Sequence, residues 1–418
     1  MCQLRRDGPT GLILAKDEIV AQWTAEIDDP LLALQEALHS MLAKFLNATD
    51  LPPARAIVPL RYARIPRSRK AHIAAAAARD LGVDTKYLAF VASHTSSTDL
   101  ELANAIAEGY GILRNKFAQR KSPTPIHVDG GIDRDEWIKA IQTKKYQPIL
   151  DFVSRVADSD VTGISSFWLH GSFATLDFMP GYSDCDATVI IDGDSCTDAV
   201  TLVSMRNKMS RISSSLHSID PLQHHGLFVT TEYDLLCYQQ SFFPLQIIER
   251  SVEILKDASG IDYVECGLGY SSEKAIILKM AQLMRSVVYG DIHLRTAYAI
   301  KAHLQTLILM WVIYLQIRDE KFWHKKDALC KKPDEIPSEI WSIIENITLL
   351  RREWNPNIRV PYLHVLGLWN PRLPPAFLRA ISVFYAKGLS KRLVRGWEND
   401  CMRLSEFLIA DLRSMGKL

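Results

Sequence analysis

The chain has 418 residues, of which 48% are hydrophobic and 23% are charged, and its formal net charge is +1. A chain of this length buries sizeable cores and is expected to hold two or three domains. Its near-zero net charge excludes a strong overall attraction to nucleic acids or to anionic membranes, so neither is expected as a partner.

The cysteine pattern and the apolar stretches predict the cellular location of the protein. Seven cysteines are scattered without a CxxC pair, which favours neither a disulfide framework nor a zinc site. The N-terminal segment MCQLRRDGPTG lacks the apolar run of a secretory signal. The most apolar stretch, Leu307 to Ile317, is too short to span a bilayer and is expected to be a buried helix. These features predict a cytoplasmic protein without a membrane segment.

Residues 1–125 are predicted to form an accessory α/β region. Leucines recur every three or four residues from Leu31 to Leu42, which predicts an amphipathic helix starting near Asp29. An alternation of further elements follows it. These elements are a short strand over 56–58, an alanine-rich helix, a strand over 86–93 and a helix over 98–110.

The polar segment 119–131 is rich in proline and glycine and predicts the first domain boundary. A central domain over residues 130–262 is expected to begin with a helix around residues 136–157. Residues 268–418 carry apolar stripes at helical spacing, which predict a C-terminal helical domain. The predicted fold class is therefore α+β, with a central mixed sheet between the accessory region and the helical domain.

The candidate chemistry lies in two neighbouring segments of the central domain. Residues 167–169 read as a buried strand that runs into Gly171 and Ser172, with a short helix from there to about Phe178. A turn then leads to a second predicted strand, 184–191. Both segments are expected to present polar groups at one edge of the sheet.

Asp184 and Asp186 are the candidate catalytic and metal-binding residues. Residues two apart on a strand point to the same side, and two strand rises separate them by about 7 Å. That spacing suits two carboxylates that share Mg²⁺, which prefers oxygen ligands. Cys185 is expected to point the other way, into the core.

Gly171 and Ser172 are candidate phosphate-binding residues. Glycine has no Cβ, so its backbone can approach a phosphate closely. Ser172 would lie at the start of the predicted short helix, where free backbone N–H groups favour an anion. The two segments together predict a site that holds a nucleoside triphosphate against a metal ion.

This arrangement resembles the DNA polymerase β-like nucleotidyltransferase superfamily, in its minimal, aminoglycoside-nucleotidyltransferase-like form. Gly171-Ser172 is followed by eleven residues and then by Asp184-Cys185-Asp186, with Ser183 directly before the first aspartate. The resemblance implies a nucleotidyltransferase-type mixed sheet and nucleotide binding by Gly171, Ser172 and Ser183. It also implies Mg²⁺ at Asp184 and Asp186. The implied reaction moves a nucleoside monophosphate from an NTP to a hydroxyl of a small-molecule acceptor.

The sequence departs from this superfamily at the third metal ligand. A third carboxylate is usual on a later strand, but the candidate strand 223–231 contains no acid. His224 or His225 stands where an acid is expected, and Glu232 and Asp234 follow closely. Three residues therefore remain as the third ligand: Glu232, Asp234 or His225. The alternative interpretation is a catalytically degenerate module that binds a nucleotide or a partner.

Overall fold

The structure is a computed structural model with a mixed α+β fold. It divides into two compact units, represented by the described residues up to 265 and by those from 297 onward. The residues that it describes are 29–47, 67–94, 96–119, 124–159, 162–179, 182–220, 222–223, 225–238, 245–255, 260–265, 297–330, 332–354 and 397–417.

The described part of the first unit contains nine α-helices and two 3-10 turns. The helices, α1 to α9, are Pro30–Asn47, Arg67–Asp80, Tyr87–Ser93, Asp99–Ala118, Arg134–Ala140, Gln147–Asp158, Gly193–Cys196, Ala199–Ile219 and Glu232–Leu235. The 3-10 turns are Lys144–Tyr146 and Leu245–Arg250.

Six described strands form two sheets in this unit. They are β1 to β6: Ile126–Asp129, Ile164–His170, Asp186–Ile191, Phe228–Thr231, Val252–Glu253 and Gly260–Tyr263. The larger sheet has the order β4-β3-β2-β5 and is mixed, since β3 runs parallel to β4 and antiparallel to β2. The crossover from β3 to β4 runs through α7 and α8, as parallel neighbours require. Strands β1 and β6 form a separate antiparallel pair.

The larger sheet is buried on both faces, because successive side chains of a strand point to opposite sides. Ala187, Val189 and Ile191 of β3 belong to the main core, which they share with the helices. Ile190 packs on the other face with Trp168, in a smaller core that includes β1 and β6.

The helices before residue 119 share the main core with the sheet domain. That core contains residues between 31 and 117 as well as residues between 137 and 254. Helices α1 and α4 both pack against α8. The division into domains 1–125, 130–262 and 268–418 stays a prediction, but this packing makes α1 a direct neighbour of the elements that carry the candidate site.

The predicted strand over 86–93 is wrong, because these residues form helix α3. The Glu108 carboxylate accepts hydrogen bonds from the backbone N–H groups of Lys86, Tyr87 and Leu88, at 2.7, 2.9 and 2.8 Å. These bonds satisfy the N–H groups that the start of a helix leaves free. Between residues 29 and 119 the described residues form helices without any strand. The predicted strand over 56–58 lies outside the described residues.

The predicted helices of this unit differ from the observed ones in their ends. The helix expected over 98–110 extends from Asp99 to Ala118 and begins with a capping box of Thr98 and Glu101. The single helix expected around 136–157 is divided into α5 and α6. Pro148 lies in the first turn of α6, where a helix tolerates proline, whereas it would break a helix interior.

The described part of the second unit is helical. Its helices, α10 to α13, are Ala297–Asp319, Lys325–Cys330, Ser338–Arg352 and Trp397–Ser414. The apolar stretch Leu307 to Ile317 lies inside α10, and most of its side chains are buried, as the sequence predicted. Among the helices of the described residues, none has the length and apolar character that crossing a membrane requires.

One cysteine departs from the sequence prediction. Cys237 is disulfide-bonded, although the scattered cysteines predicted no disulfide framework, and its partner lies outside the described residues. The free cysteines of the described residues are Cys185, Cys196, Cys330 and Cys401.

Candidate metal centre

Three side chains converge beside the larger sheet. The Nε2 atom of His225 lies 3.2 Å from Oδ2 of Asp184 and 2.9 Å from Oδ1 of Asp186. One ligand atom from each of these residues lies within 4.8 Å of the other two, a spacing that suits a single metal ion. The Asp184 and His225 side chains are buried, whereas Asp186 keeps 21% of its side-chain surface exposed. The cluster is therefore reached from solvent on the Asp186 side.

Strand β3 positions the two aspartates as the alternation of side chains predicted. Cys185 is fully buried in the main core, so the aspartates on either side of it point away from that core. The strand itself begins at Asp186, two residues later than predicted, and Asp184 lies just before it. Burial raises the pKa of the Cys185 thiol well above its ordinary value, which keeps this side chain neutral.

A buried amide holds the backbone of Cys185, between the two aspartates. Gln223 accepts a hydrogen bond from the Cys185 N–H at 3.0 Å and donates one to the Cys185 carbonyl at 3.1 Å. It also donates to the carbonyl of His225 at 3.0 Å. One side chain thus fixes the backbone between the two aspartates to the backbone of the histidine.

A second buried amide, from α1, holds the segment that follows His225. Asn47 accepts a hydrogen bond from the Leu227 N–H at 2.7 Å and donates to the Leu227 carbonyl at 3.0 Å. A Cβ at Gly226 would lie 2.0 Å from the Asn47 side-chain oxygen, so this contact requires glycine there. The observed strand β4 is therefore shorter than the predicted strand 223–231, because it starts only at Phe228.

Hydrogen bonds within the cluster shift the pKa values of its members. Burial lowers the pKa of His225, but hydrogen bonds from its ring to Asp184 and Asp186 outweigh burial and raise the pKa from 6.5 to about 10. Burial raises the pKa of Asp186, but the hydrogen bond from His225 and the attraction of His225 and His170 together outweigh it, so that this pKa is lowered. In the absence of a metal, His225 is therefore an imidazolium that neutralises part of the carboxylate charge at neutral pH.

Gly171 lies against the Asp186 carboxylate. Strand β2 ends at His170, which pairs with Asp186 in the sheet, and Gly171 follows with a φ of +69°. A Cβ at this position would lie 2.5 Å from Oδ2 of Asp186. The close approach that requires glycine is thus to the side chain of Asp186, a member of the cluster.

The short helix predicted from Gly171 to about Phe178 is wrong, because residues 171–176 form turns. Leu176 has a φ of +60°, which a helix does not accommodate. The Thr175 N–H and hydroxyl both donate to the Gly171 carbonyl, at 3.1 and 3.0 Å, which makes a single turn that does not continue into a helix. The expected helix N-terminus for a phosphate is therefore not present at Ser172.

The two serines predicted to bind the nucleotide have different surroundings. Ser172 is buried next to Gly171, with a relative exposure of 9%. The Ser183 hydroxyl accepts a hydrogen bond from the Met179 N–H at 3.0 Å and so closes the loop before Asp184. Ser183 accordingly positions the first aspartate through the backbone.

Of the three candidates for a third ligand that the sequence left open, His225 is the one that joins Asp184 and Asp186 in the cluster. The Glu232 carboxylate accepts from the Gly193 N–H at 3.0 Å and from the Ser165 hydroxyl. Asp234 is buried and bonded to Thr231, at the start of α9, and to His39. Neither acid joins the cluster, and His224 lies outside the described residues.

Sequence reasoning did not identify Gln223 and Asn47. Both are polar residues next to apolar segments, Gln223 before β4 and Asn47 at the end of α1. Both are almost fully buried, with 1% of their surface exposed. A polar residue beside an apolar run is common in sequences, so this signal does not single them out.

We expect Gln223→Ala to weaken metal binding at the cluster roughly 10–100-fold, the usual effect of removing a side chain that orients metal ligands. The change leaves the buried N–H of Cys185 without its partner, which costs about 1–3 kcal/mol of stability. Calorimetric titration of the folded variant with a divalent cation, and urea unfolding, measure the two effects.

Asn104→Ala is the matched control for Gln223→Ala. Its amide donates to the Leu100 carbonyl at 2.9 Å from a partly exposed position of α4. This change should lower stability by less than about 1 kcal/mol and leave metal binding intact. Equal metal affinities of wild type, Gln223→Ala and Asn104→Ala would contradict the positioning role of Gln223.

We expect Gly171→Ala to weaken metal binding about tenfold or more, because the added Cβ displaces the Asp186 carboxylate. Gly82→Ala separates this effect from backbone strain. Gly82 also has a positive φ, +75°, but an added Cβ would meet nothing within 4 Å. If Gly171→Ala and Gly82→Ala bind the metal equally well, the contact of Gly171 with Asp186 does not contribute to metal binding.

Comparisons of this chain with protein-family models, with curated proteins and with solved structures found no match.

Proposed function

We propose that the chain is a metal-dependent nucleotidyltransferase that moves a nucleoside monophosphate from an NTP to a hydroxyl of a small-molecule acceptor. The observation that carries the proposal is the cluster of Asp184, Asp186 and His225. Asp186 begins β3, Asp184 lies just before it, and His225 lies shortly before β4, the parallel neighbour of β3. The glycine that follows the antiparallel neighbour β2 lies against Asp186. This placement agrees with the motif of Gly171-Ser172, eleven residues and Asp184-Cys185-Asp186.

The donor atoms fit a divalent cation. Two carboxylates and one imidazole supply ligand atoms within 4.8 Å of one another, and Mg²⁺ is the cation that the resemblance implies. A bound cation would lower the pKa of the acceptor hydroxyl and neutralise charge on the leaving pyrophosphate. Asp186, which is the exposed member, is the side chain through which a substrate phosphate would approach the site.

The substrate assignments rest on the surroundings of the cluster. Gly171 and Ser172 follow the end of β2, and Gly171 lies against Asp186. We assign the triphosphate to this side of the sheet. A small molecule is the proposed acceptor, because the net charge of +1 gives no general attraction to nucleic acid. A cytoplasmic location is proposed from the free cysteines, although the Cys237 disulfide is unusual for a reducing compartment.

Release of pyrophosphate tests the proposal. Metal-stripped protein is incubated with ATP, GTP, CTP or UTP and a small-molecule cell extract, with Mg²⁺ or Mn²⁺ added back. We expect metal-dependent pyrophosphate release and transfer of label from one α-³²P nucleotide to a small product. No release with any nucleotide and cation would reject the enzymatic function.

The alternative is a catalytically degenerate module that binds a nucleotide or a partner. The observation that favours it is the ion pair of His225 with both aspartates, which already supplies a positive charge between them. This alternative predicts nucleotide binding without turnover. Nucleotide binding in calorimetry without pyrophosphate release would indicate the module, whereas metal-dependent release would exclude it.

A further inference from the structure

The cluster combines one nitrogen donor with two oxygen donors. His225 reaches both carboxylates through Nε2, and its ring is buried. Mg²⁺ prefers oxygen ligands and is rarely held by imidazole. First-row transition dications bind imidazole well and accept carboxylates beside it. The donor set therefore distinguishes this chain from a site built of three carboxylates.

The second nitrogen of the His225 ring prepares Nε2 to act as a ligand. Nδ1 lies 2.8 Å from the carbonyl oxygen of Gly226. A carbonyl only accepts hydrogen bonds, so Nδ1 is the donor and carries a proton. The neutral ring then has its lone pair on Nε2, toward the aspartates. A backbone carbonyl that fixes the tautomer is the usual support of a metal-binding histidine.

The backbone that carries this ring is held on both sides. Gln223 donates to the His225 carbonyl, and Asn47 pairs with both backbone groups of Leu227. These bonds hold the backbone at His225 and just after it in place. The backbone therefore presents the ring nitrogen to the two aspartates from a fixed position.

We propose that this centre selects a first-row transition dication over Mg²⁺, with His225 Nε2 as a direct ligand. The proposal rests on the metal site of the proposed function and adds the class of its cation. Mn²⁺ is the probe, because it accepts the same oxygen ligands as Mg²⁺ and also binds nitrogen.

Direct binding to the metal-stripped full chain tests the selectivity. We expect calorimetric titration to give a Kd for MnCl₂ that is roughly tenfold or more below the Kd for MgCl₂. His225→Asp should lower the Kd for MgCl₂ and so reduce the difference between the two Kd values. His225→Asn serves as a second variant should the aspartate variant not fold, and should lower Mn²⁺ affinity. Equal affinities of the wild type for the two cations would overturn the proposal.

Pulsed electron paramagnetic resonance of the Mn²⁺-loaded wild type tests the ligand itself. We expect a ¹⁴N coupling from one directly bound imidazole, and its loss in His225→Asp. Bound Mn²⁺ without nitrogen coupling would overturn the role of His225. If neither cation binds, the metal-dependent function fails as well. If Mg²⁺ binds as tightly as Mn²⁺ and supports pyrophosphate release, only the selectivity fails.

Discussion

Metal-dependent NTP turnover should be lost when Asp184→Asn and Asp186→Asn are combined, by at least about a thousandfold, or roughly 4 kcal/mol of activation free energy. The two carboxylates are the oxygen donors of the cluster, and an amide keeps their size without their charge. Since the remaining His225 offers a single donor, the double variant cannot hold a cation of either class. Pyrophosphate release under saturating NTP and metal measures the loss.

Asp194→Asn is the matched control for the double variant. Asp194 follows the end of β3, but its side chain is 86% exposed and pairs only loosely with Arg114, at 3.3 Å. This variant should keep wild-type turnover, and circular dichroism should show that both proteins are folded. A folded double variant with wild-type turnover would show that the two aspartates take no part in the reaction and would contradict the proposed metal site.

The face of the sheet on which the aspartates lie could be predicted from the sequence. The alternation of side chains along a strand placed Asp184 and Asp186 together and Cys185 in the core, as the structure places them. The buried helix around Leu307 to Ile317 follows equally from its length and composition. In both cases the pattern repeats over neighbouring residues, so local sequence suffices.

The other features depend on contacts between distant residues. The sequence of α3 predicted a strand, but these residues form a helix. The carboxylate of Glu108, about twenty residues later, caps the start of that helix. Tertiary contacts of this kind override local propensity.

The choice of His225 as third member of the cluster depends on distant contacts in the same way. Asn47 reaches Leu227 across 180 residues of sequence, and Gln223 reaches Cys185 across 38. A single Asn or Gln side chain that bonds distant backbone groups leaves no periodic pattern in the sequence. Sequence alone therefore left the third ligand open among Glu232, Asp234 and His225.

The apparent affinity for the metal should rise with pH, because a metal and a proton compete for Nε2 of His225. The pKa of this ring in the folded protein is about 10, above its ordinary value of 6.5. The protonated ring therefore stabilises the metal-free protein fully below about pH 6.5, and this stabilisation is lost as the pH rises through about 10. Metal binding needs the neutral ring, so one proton leaves for each ion bound.

Between pH 7 and 9 we accordingly expect the apparent affinity to rise about tenfold per pH unit. Calorimetry at pH 8 in two buffers of different ionisation enthalpy should count close to one released proton. His225→Asn should abolish the release. His127→Asn is the matched control, since His127 also lies between two aspartates, Asp262 at 2.7 Å and Asp129 at 3.3 Å, but is exposed and outside the cluster. His127→Asn should keep both the proton release and the rise of metal affinity with pH. Metal binding without release of a proton would mean that the cation leaves His225 protonated, and the imidazole would then not be a ligand.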